Sequence, residues 1–263
     1  MFPLKDNIAT ARVPLVTIAL ILANVIVYFF WQKGGLSIGD PSSSHYLTNL
    51  ARYGAVPYEL THSGHHCGFE VVGNVADANR FVCSGPIYPA QQPSTWITPF
   101  TAMFMHGGLL HLGGNMLFLW IFGNNIEDAL GRIRYVAFYV VGGLAALALQ
   151  TAVDPSAAVP TIGASGAIAA VLGGYAVLYP RARVLTVILI VFFFTVVEIP
   201  ALFVLGLWFL QQVLFGALDL SDPTGGGGGV AYFAHIGGFA FGLLTIRAIA
   251  QRVKPTPPRL PLY

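Results

Sequence analysis

The chain has 263 residues, of which 56% are apolar and only 9% are Lys, Arg, Asp or Glu, and its net charge is +2. Soluble domains run at about 25% charged residues, so this composition cannot cover a water-facing surface and excludes a soluble enzyme. The small net charge leaves no footprint for nucleic acid, and what remains is an integral membrane domain of several spans.

In chain order, residues 1–12 form a polar segment without the features of a cleavable leader. The first apolar run, Val13 to Trp31, is bounded by Arg12 and Lys33. A long outer loop, residues 32–96, follows, with linker-like stretches at Pro41 to Ser44 and Pro89 to Ser94. It holds both cysteines, Cys67 and Cys83. A disulfide closing this loop would contribute about 3 kcal/mol. The alternative is a metal site, because His62, His65 and His66 crowd Cys67; Cys83 has no second ligand beside it, so the disulfide is favoured and no metal is expected.

The second run begins near Leu109 and ends before Glu127, the third covers Ile133 to Val153, and the fourth covers Ile162 to Tyr179, closed by Pro180. Val184 to Leu218 is too long for one helix and is divided at Glu198 and Pro200. Its first part, Val184 to Val197, has the length of an interfacial or re-entrant segment, whereas Ile199 to Leu218 is long enough to cross. Gly225 to Gly229 is a flexible connection, the last run is Val230 to Ala250, and residues 253–263 form a Pro-rich tail. Each spanning run has roughly 17–21 residues, enough for a hydrocarbon core of about 30 Å.

Charge placement sets the count. With six spans, Lys5, Arg12, Arg132, Arg134, Arg181, Arg183, Arg247, Arg252, Lys254 and Arg259 share one face, and only Lys33, Arg52 and Arg80 lie opposite, in the long loop. A seventh span would put the C-terminal cations on the wrong side. The expectation is an all-α polytopic bundle of six transmembrane helices over residues 13–252, both termini cytoplasmic.

Strongly polar residues inside a bilayer are costly and mark function. His111 and Asn115 in the second span, Ser165 in the fourth and His235 in the sixth each fall a few positions after the start of a helix running outside to inside, so they share one depth. Serine needs a base to become a nucleophile, histidine supplies one near neutral pH, and the tetrahedral intermediate needs hydrogen-bond donors. His111 and Asn115, four residues apart on a helix, point at one spot. Acidic residues are missing at that depth, which indicates a Ser-His dyad. Small residues beside Ser165 and His235, including Gly238-x-x-x-Gly242, let the fourth and sixth helices approach closely. Taken singly, each of these residues has a bland reading as helix packing, an interfacial group or a satisfied loop histidine.

Three motifs in one order, His106-x-x-x-x-His111-x-x-x-Asn115, Gly163-Ala164-Ser165-Gly166 and Ala234-His235-Ile236-Gly237-Gly238, resemble the rhomboid family of intramembrane serine proteases from about Thr98 to Leu244. The resemblance, to bacterial members, implies a six-helix rhomboid-like bundle, a plasma-membrane location and an active site toward the outer face. It implies Ser165 as nucleophile, His235 as general base and acid, His111, Asn115 and the Ser165 N–H as oxyanion hole, and His106, Gly163, Gly166 and Gly238 as support. Glu127 matches a structural acidic position. Two departures stand out: Trp96-Ile97 where Trp-Arg is common, and Ala169 where many members carry an aromatic stacking on the histidine. Tyr175 and Tyr232 are the candidates to orient His235 instead.

The implied function is a serine endopeptidase that hydrolyses peptide bonds in or near transmembrane helices of membrane protein substrates. Its partners are those substrates and the lipid bilayer, with no cofactor and no nucleic acid. Gly225 to Gly229 could act as a lid, and the outer part of the fifth span could flank a lateral entrance. The alternatives are a non-catalytic rhomboid-like protein that binds membrane helices and, less supported, a small transporter. The transporter would need paired charges near mid-membrane, whereas Glu198 is the lone acid within the long apolar runs.

Overall fold

The computed structural model describes residues 2–38, 41–73, 75–190, 193–220 and 230–253. The expected lid at Gly225 to Gly229 and the tail from residue 254 lie outside the described residues.

The chain is mostly helical. It opens with a short strand, β1 (Phe2–Asp6), followed by α1 (Leu15–Ile26), which runs on through a wide π turn, Val27–Trp31. The long loop folds into α2 (Ser44–Tyr53), α3 (Pro57–Thr61) and an antiparallel sheet of β2 (Gly68–Val72), β3 (Val75–Val82) and β4 (Ile87–Tyr88), ordered β3-β2-β4. Cys67 and Cys83 are joined as a disulfide across this sheet. Among the described residues no group of His, Cys, Asp and Glu could hold a metal. Tyr58 stacks on His62 instead, ring centroids 4.0 Å apart.

The short α4 (Thr98–Thr101) leads to α5 (Leu109–Phe118), a second π turn at Leu119–Gly123 and α6 (Asn124–Leu130), together one unbroken helical rod. Then come α7 (Arg132–Val153), α8 (Ser165–Leu178), a hairpin of β5 (Arg183–Ile190) and β6 (Phe193–Pro200), α9 (Ala201–Leu220) and α10 (Tyr232–Ile249). Among the described residues α7, α9 and α10 are long and apolar enough to cross a membrane by length and composition; Leu15–Trp31 and Ser165–Leu178 are shorter apolar helices.

Two expectations are corrected here. The fold is not all-α: it carries two three-stranded sheets, and the second, ordered β1-β5-β6, is built from the segment read as interfacial or re-entrant together with the N-terminal residues. The run Val184 to Val197 is rich in Val, Ile and Thr, whose branched side chains suit a pleated surface, and Pro180 and Pro200 bracket it. Glu198 is explained by the hairpin, because Arg183 across the strand pair lies 3.5 Å from its carboxylate. The rod also continues past Glu127 to Leu130, since the acids at its end are buried and used. Glu127 accepts from Val16 N (3.0 Å), Thr17 N (2.8 Å) and Thr17 Oγ1 (2.8 Å), satisfying donors that the first turn of α1 leaves open. Asp128 Oδ2 accepts from Ala11 N at 2.8 Å.

At the centre is α8, buried from Gly166 through Tyr175. Small residues let its neighbours come close. A methyl group on Gly238 of α10 would stand 2.1 Å from the Gly166 carbonyl oxygen, and one on Gly242 would stand 2.0 Å from that of Ala170. One on Gly166 would stand 2.6 Å from the Ala146 Cβ of α7. The backbones of α8 and α10 are therefore nearly in contact, the geometry that small-xxx-small faces permit.

Candidate active site

Ser165 is the first residue of α8, not a few positions into a helix as the apolar run from Ile162 suggests. The reason is Gly163, whose φ of +124° breaks the helical path and is open to glycine but strained for other residues. The break leaves the Ser165 N–H at a helix N-terminus, where backbone donors lack intrahelical acceptors. Gly163 N donates to the Ala102 carbonyl at 2.9 Å, which ties the turn to the segment before α5.

His235 sits in the first turn of α10. Its Nε2 is 2.7 Å from Ser165 Oγ, and its Nδ1 is 2.7 Å from Gln212 Oε1 on α9. The Trp208 ring lies beside the imidazole, centroids 5.7 Å apart. The start of α10 is fixed from a second side by Gln150 of α7, whose Oε1 accepts from Ala234 N at 3.1 Å.

His111 reaches the same place from α5. Gly107 N donates to its Nδ1 at 3.2 Å, so Nε2 carries the proton. That nitrogen lies against Gly163, where an added methyl would be 2.8 Å from it and 3.5 Å from Ser165 Oγ. Asn115 is buried one turn further along, and its Nδ2 has no partner among the described residues. A cavity of about 1150 Å³ is lined by His111, Asn115, Ser165 and His235 together with Met103 and Gln150. A hydrogen-bonded serine hydroxyl and imidazole and two side-chain N–H donors thus face one space large enough for a peptide segment.

His106 does not reach the serine. It is fully buried before α5, and its backbone is held by Gln32, which donates to His106 O at 2.9 Å and accepts from His106 N at 3.0 Å. Its ring packs edge-on to His111, centroids 5.1 Å apart. Burial, reinforced by His111, pushes the His106 imidazole down to about 3, so it stays neutral.

Sequence reasoning brings together Ser165, His235, His111 and Asn115, and the structure places all four at one cavity. It missed Gln212, Trp208, Gln150 and Gln32. For the three glutamines the available signal was an uncharged amide within or at the end of an apolar helix, which needs a partner as much as a charge does, whereas Trp208 carries no such signal. Tyr175 and Tyr232 do not orient His235. Tyr175 is ten residues from Ser165, about 15 Å along α8 at 1.5 Å per residue, and donates to Asp6 Oδ2 at 2.5 Å. Tyr232 packs on Phe215, centroids 5.8 Å apart.

Residues 93–252, more than half of the chain, match the family described as Rhomboid domain. The chain is similar to Rhomboid protein 1, mitochondrial, of Saccharomyces cerevisiae, 33% identical over 147 residues, which is 54% of this chain and 38% of that protein. It is similar to the Presenilin-associated rhomboid-like protein, mitochondrial, of Mus musculus, 30% identical over 142 residues, 53% of this chain and 34% of that protein. RHOMBOID-like protein 5 of Arabidopsis thaliana is 36% identical over 73 residues, 28% of this chain and 24% of that protein. The matched stretch therefore spans well under half the length of each relative. Two of these names correct the expected bacterial plasma-membrane location, because the similarity runs to mitochondrial proteins. Composition and loop charge report which face of a bilayer a loop occupies, not which membrane it is.

Proposed function

The chain belongs to the rhomboid family, and from that premise we propose that it is an intramembrane serine endopeptidase working through a Ser165–His235 dyad. The observation that carries the reading is the 2.7 Å hydrogen bond between Ser165 Oγ and His235 Nε2 at the cavity. Six spans, with both ends on the more basic face and the dyad toward the other, fit the charge distribution. The relatives' names support a mitochondrial membrane as the setting.

In this reading His235 Nε2 takes the hydroxyl proton as Oγ bonds to the scissile carbonyl carbon. The carbonyl oxygen becomes an oxyanion that His111 Nε2–H, Asn115 Nδ2 and the Ser165 N–H stabilise. His235 returns the proton to the amide nitrogen, the C–N bond breaks, and the amine leaves. Water, deprotonated by the same imidazole, then releases the acyl group and restores the serine. A helical substrate hides its carbonyls in its own hydrogen bonds, so the segment cut is one that unwinds locally, at small or helix-breaking residues.

The test is labelling of the full chain in detergent with a serine-reactive fluorophosphonate, alongside cleavage of a transmembrane substrate, for wild type, Ser165→Ala and His235→Ala. Both variants are expected to lose labelling and cleavage while keeping their helical content. Cleavage at the wild-type rate by either variant removes the dyad. A folded wild type that neither labels nor cleaves favours a non-catalytic binder of membrane helices.

A further inference from the structure

A dyad histidine must be held in one orientation and one tautomer, and Ala169, one turn after Ser165, is a fully buried alanine with no ring to stack on it. Apart from Ser165, the side chains against the His235 ring are Gln212 and Trp208 of α9. Gln212 is 5% exposed, whereas Leu207, Leu210 and Leu214 of the same helix are exposed. The seated stripe of α9 is Leu205, Trp208 and Phe209, Gln212 and Gly216, spaced three to four residues apart so that one helical face meets α10. Phe209 stacks on Phe239 with centroids 4.6 Å apart, and Gly216 packs beneath Tyr232 and Phe233.

We propose, resting on the protease reading above, that Gln212 is a positioning residue that sets the tautomer of His235, and that Trp208 one turn earlier fixes the plane of the ring. An amide can present either an oxygen or an NH2. Here Gln212 Nε2 donates back to the Trp208 carbonyl at 3.4 Å, which turns the oxygen toward the imidazole. Rotating the amide would set its oxygen against that carbonyl, two acceptors facing each other. An amide oxygen only accepts, so Nδ1 carries the proton and Nε2 keeps the lone pair that faces Ser165. The Ser165 hydroxyl then donates to Nε2, the arrangement from which proton abstraction starts. When the imidazole gains that proton, its Nδ1–H keeps the same acceptor and the ring does not turn. Proton transfer is thereby tied to α9 being seated on α10.

The test measures the fluorophosphonate labelling rate of the full chain in detergent from pH 5 to 9, with thermal unfolding alongside, for wild type, Gln212→Leu, Gln212→Glu, Gln211→Leu and Ser165→Ala. Gln212→Leu leaves Nδ1 without an acceptor and is expected to lower the rate about 100-fold, the low end for a lost tautomer anchor. Gln212→Glu restores an acceptor and adds charge. It is expected to label within about tenfold of wild type at high pH and to shift the acid limb of the profile upward by about one pH unit. That shift reports on the imidazole, and a merely structural role would not move it. Gln211→Leu, on the exposed side of α9, is expected to match wild type. If Ser165→Ala labels as wild type does, the protease reading has failed and the positioning role goes with it. If Ser165→Ala is silent while Gln212→Leu labels within twofold of wild type, the positioning role alone is overturned. Should Gln212→Leu not fold, a Gln212→Glu profile identical to that of wild type overturns it equally.

Discussion

Gly238→Ala tests whether the closeness of α8 and α10 is what assembles the site. The methyl group would stand 2.1 Å from the Gly166 carbonyl oxygen, where carbon and oxygen ordinarily keep about 3.3 Å. The obstacle is backbone, not a side chain that can turn away, so α10 must recede by about 1.2 Å. Gly166 adjoins Ser165 and Gly238 lies one turn beyond His235, so most of that displacement falls on the 2.7 Å Oγ–Nε2 bond. At close to 4 Å the pair is outside the range of about 2.6–3.2 Å for proton transfer. A misplacement of about 1 Å costs on the order of 100-fold in rate, and overpacking costs about 1–3 kcal/mol of stability. The assay is the fluorophosphonate labelling rate in detergent, with unfolding followed by circular dichroism. Gly206→Ala on α9, whose new methyl meets nothing within 4 Å, is the control and is expected to match wild type. A folded Gly238→Ala protein that labels within twofold of wild type would refute the reasoning.

Gly163→Ala places a methyl 2.8 Å from His111 Nε2 at a φ of +124° and is expected to reduce labelling about 100-fold; unchanged labelling would mean that His111 and the turn before Ser165 are not held as described. Replacing Cys67 and Cys83 together by Ser removes a crosslink of 16-residue separation and is expected to cost the outer loop about 3 kcal/mol, read as faster proteolysis of residues 44–88, with Ser165 labelling retained; loss of labelling instead would tie the loop to the site. Burial pushes the Asp6 carboxyl from 3.8 up to about 6, against the opposing hydrogen bond from Tyr175. The folded state therefore holds this proton more tightly than the unfolded state, and stability falls as pH rises from about 4 through 6, by up to about 3 kcal/mol. Unfolding midpoints between pH 4 and 7 should show that decline in wild type and lose it in Asp6→Asn; equal slopes would remove Asp6 as the cause.

The helical frame was legible because spans are long and locally encoded: Ile133 to Val153 became α7 and Val230 to Ala250 became α10 with shifts of only a residue or two. The β1-β5-β6 sheet was not, because its pairing joins Phe2 to Val187, and no local periodicity reports a contact at that distance. A short run of Val, Ile and Leu suits a strand or a buried helix equally well. At the site, Ser165, His235, His111 and Asn115 could be read because polar groups in apolar helices are costly and these four share a chemistry. Gln212 is subject to the same cost, but an amide beside Gln211 in a helix with no motif points nowhere until its neighbour is known.

A glutamine where serine hydrolases often have a carboxylate changes what the rest of the site must supply. A buried carboxylate among apolar helices carries a desolvation cost unless paired, and this helix offers no cation to pair it. In the proposed mechanism the amide avoids that cost and still fixes the tautomer, but it does little to stabilise the charge that His235 would gain in the transition state. In that mechanism stabilisation must then come from the proposed oxyanion side, where two neutral side-chain donors, His111 and Asn115, line the cavity beside the helix N-terminus at Ser165. Those donors act only if α8 is held in place along its length. At its far end, Asp6 accepts from Tyr175 of α8 and, at 2.6 Å, from Asn125 of the rod that carries His111 and Asn115. The N-terminal strand therefore fastens together the helix of Ser165 and the rod of His111 and Asn115. The buried Asp6 carboxylate is thus spent on holding the frame, and the proposed chemistry is left to neutral groups.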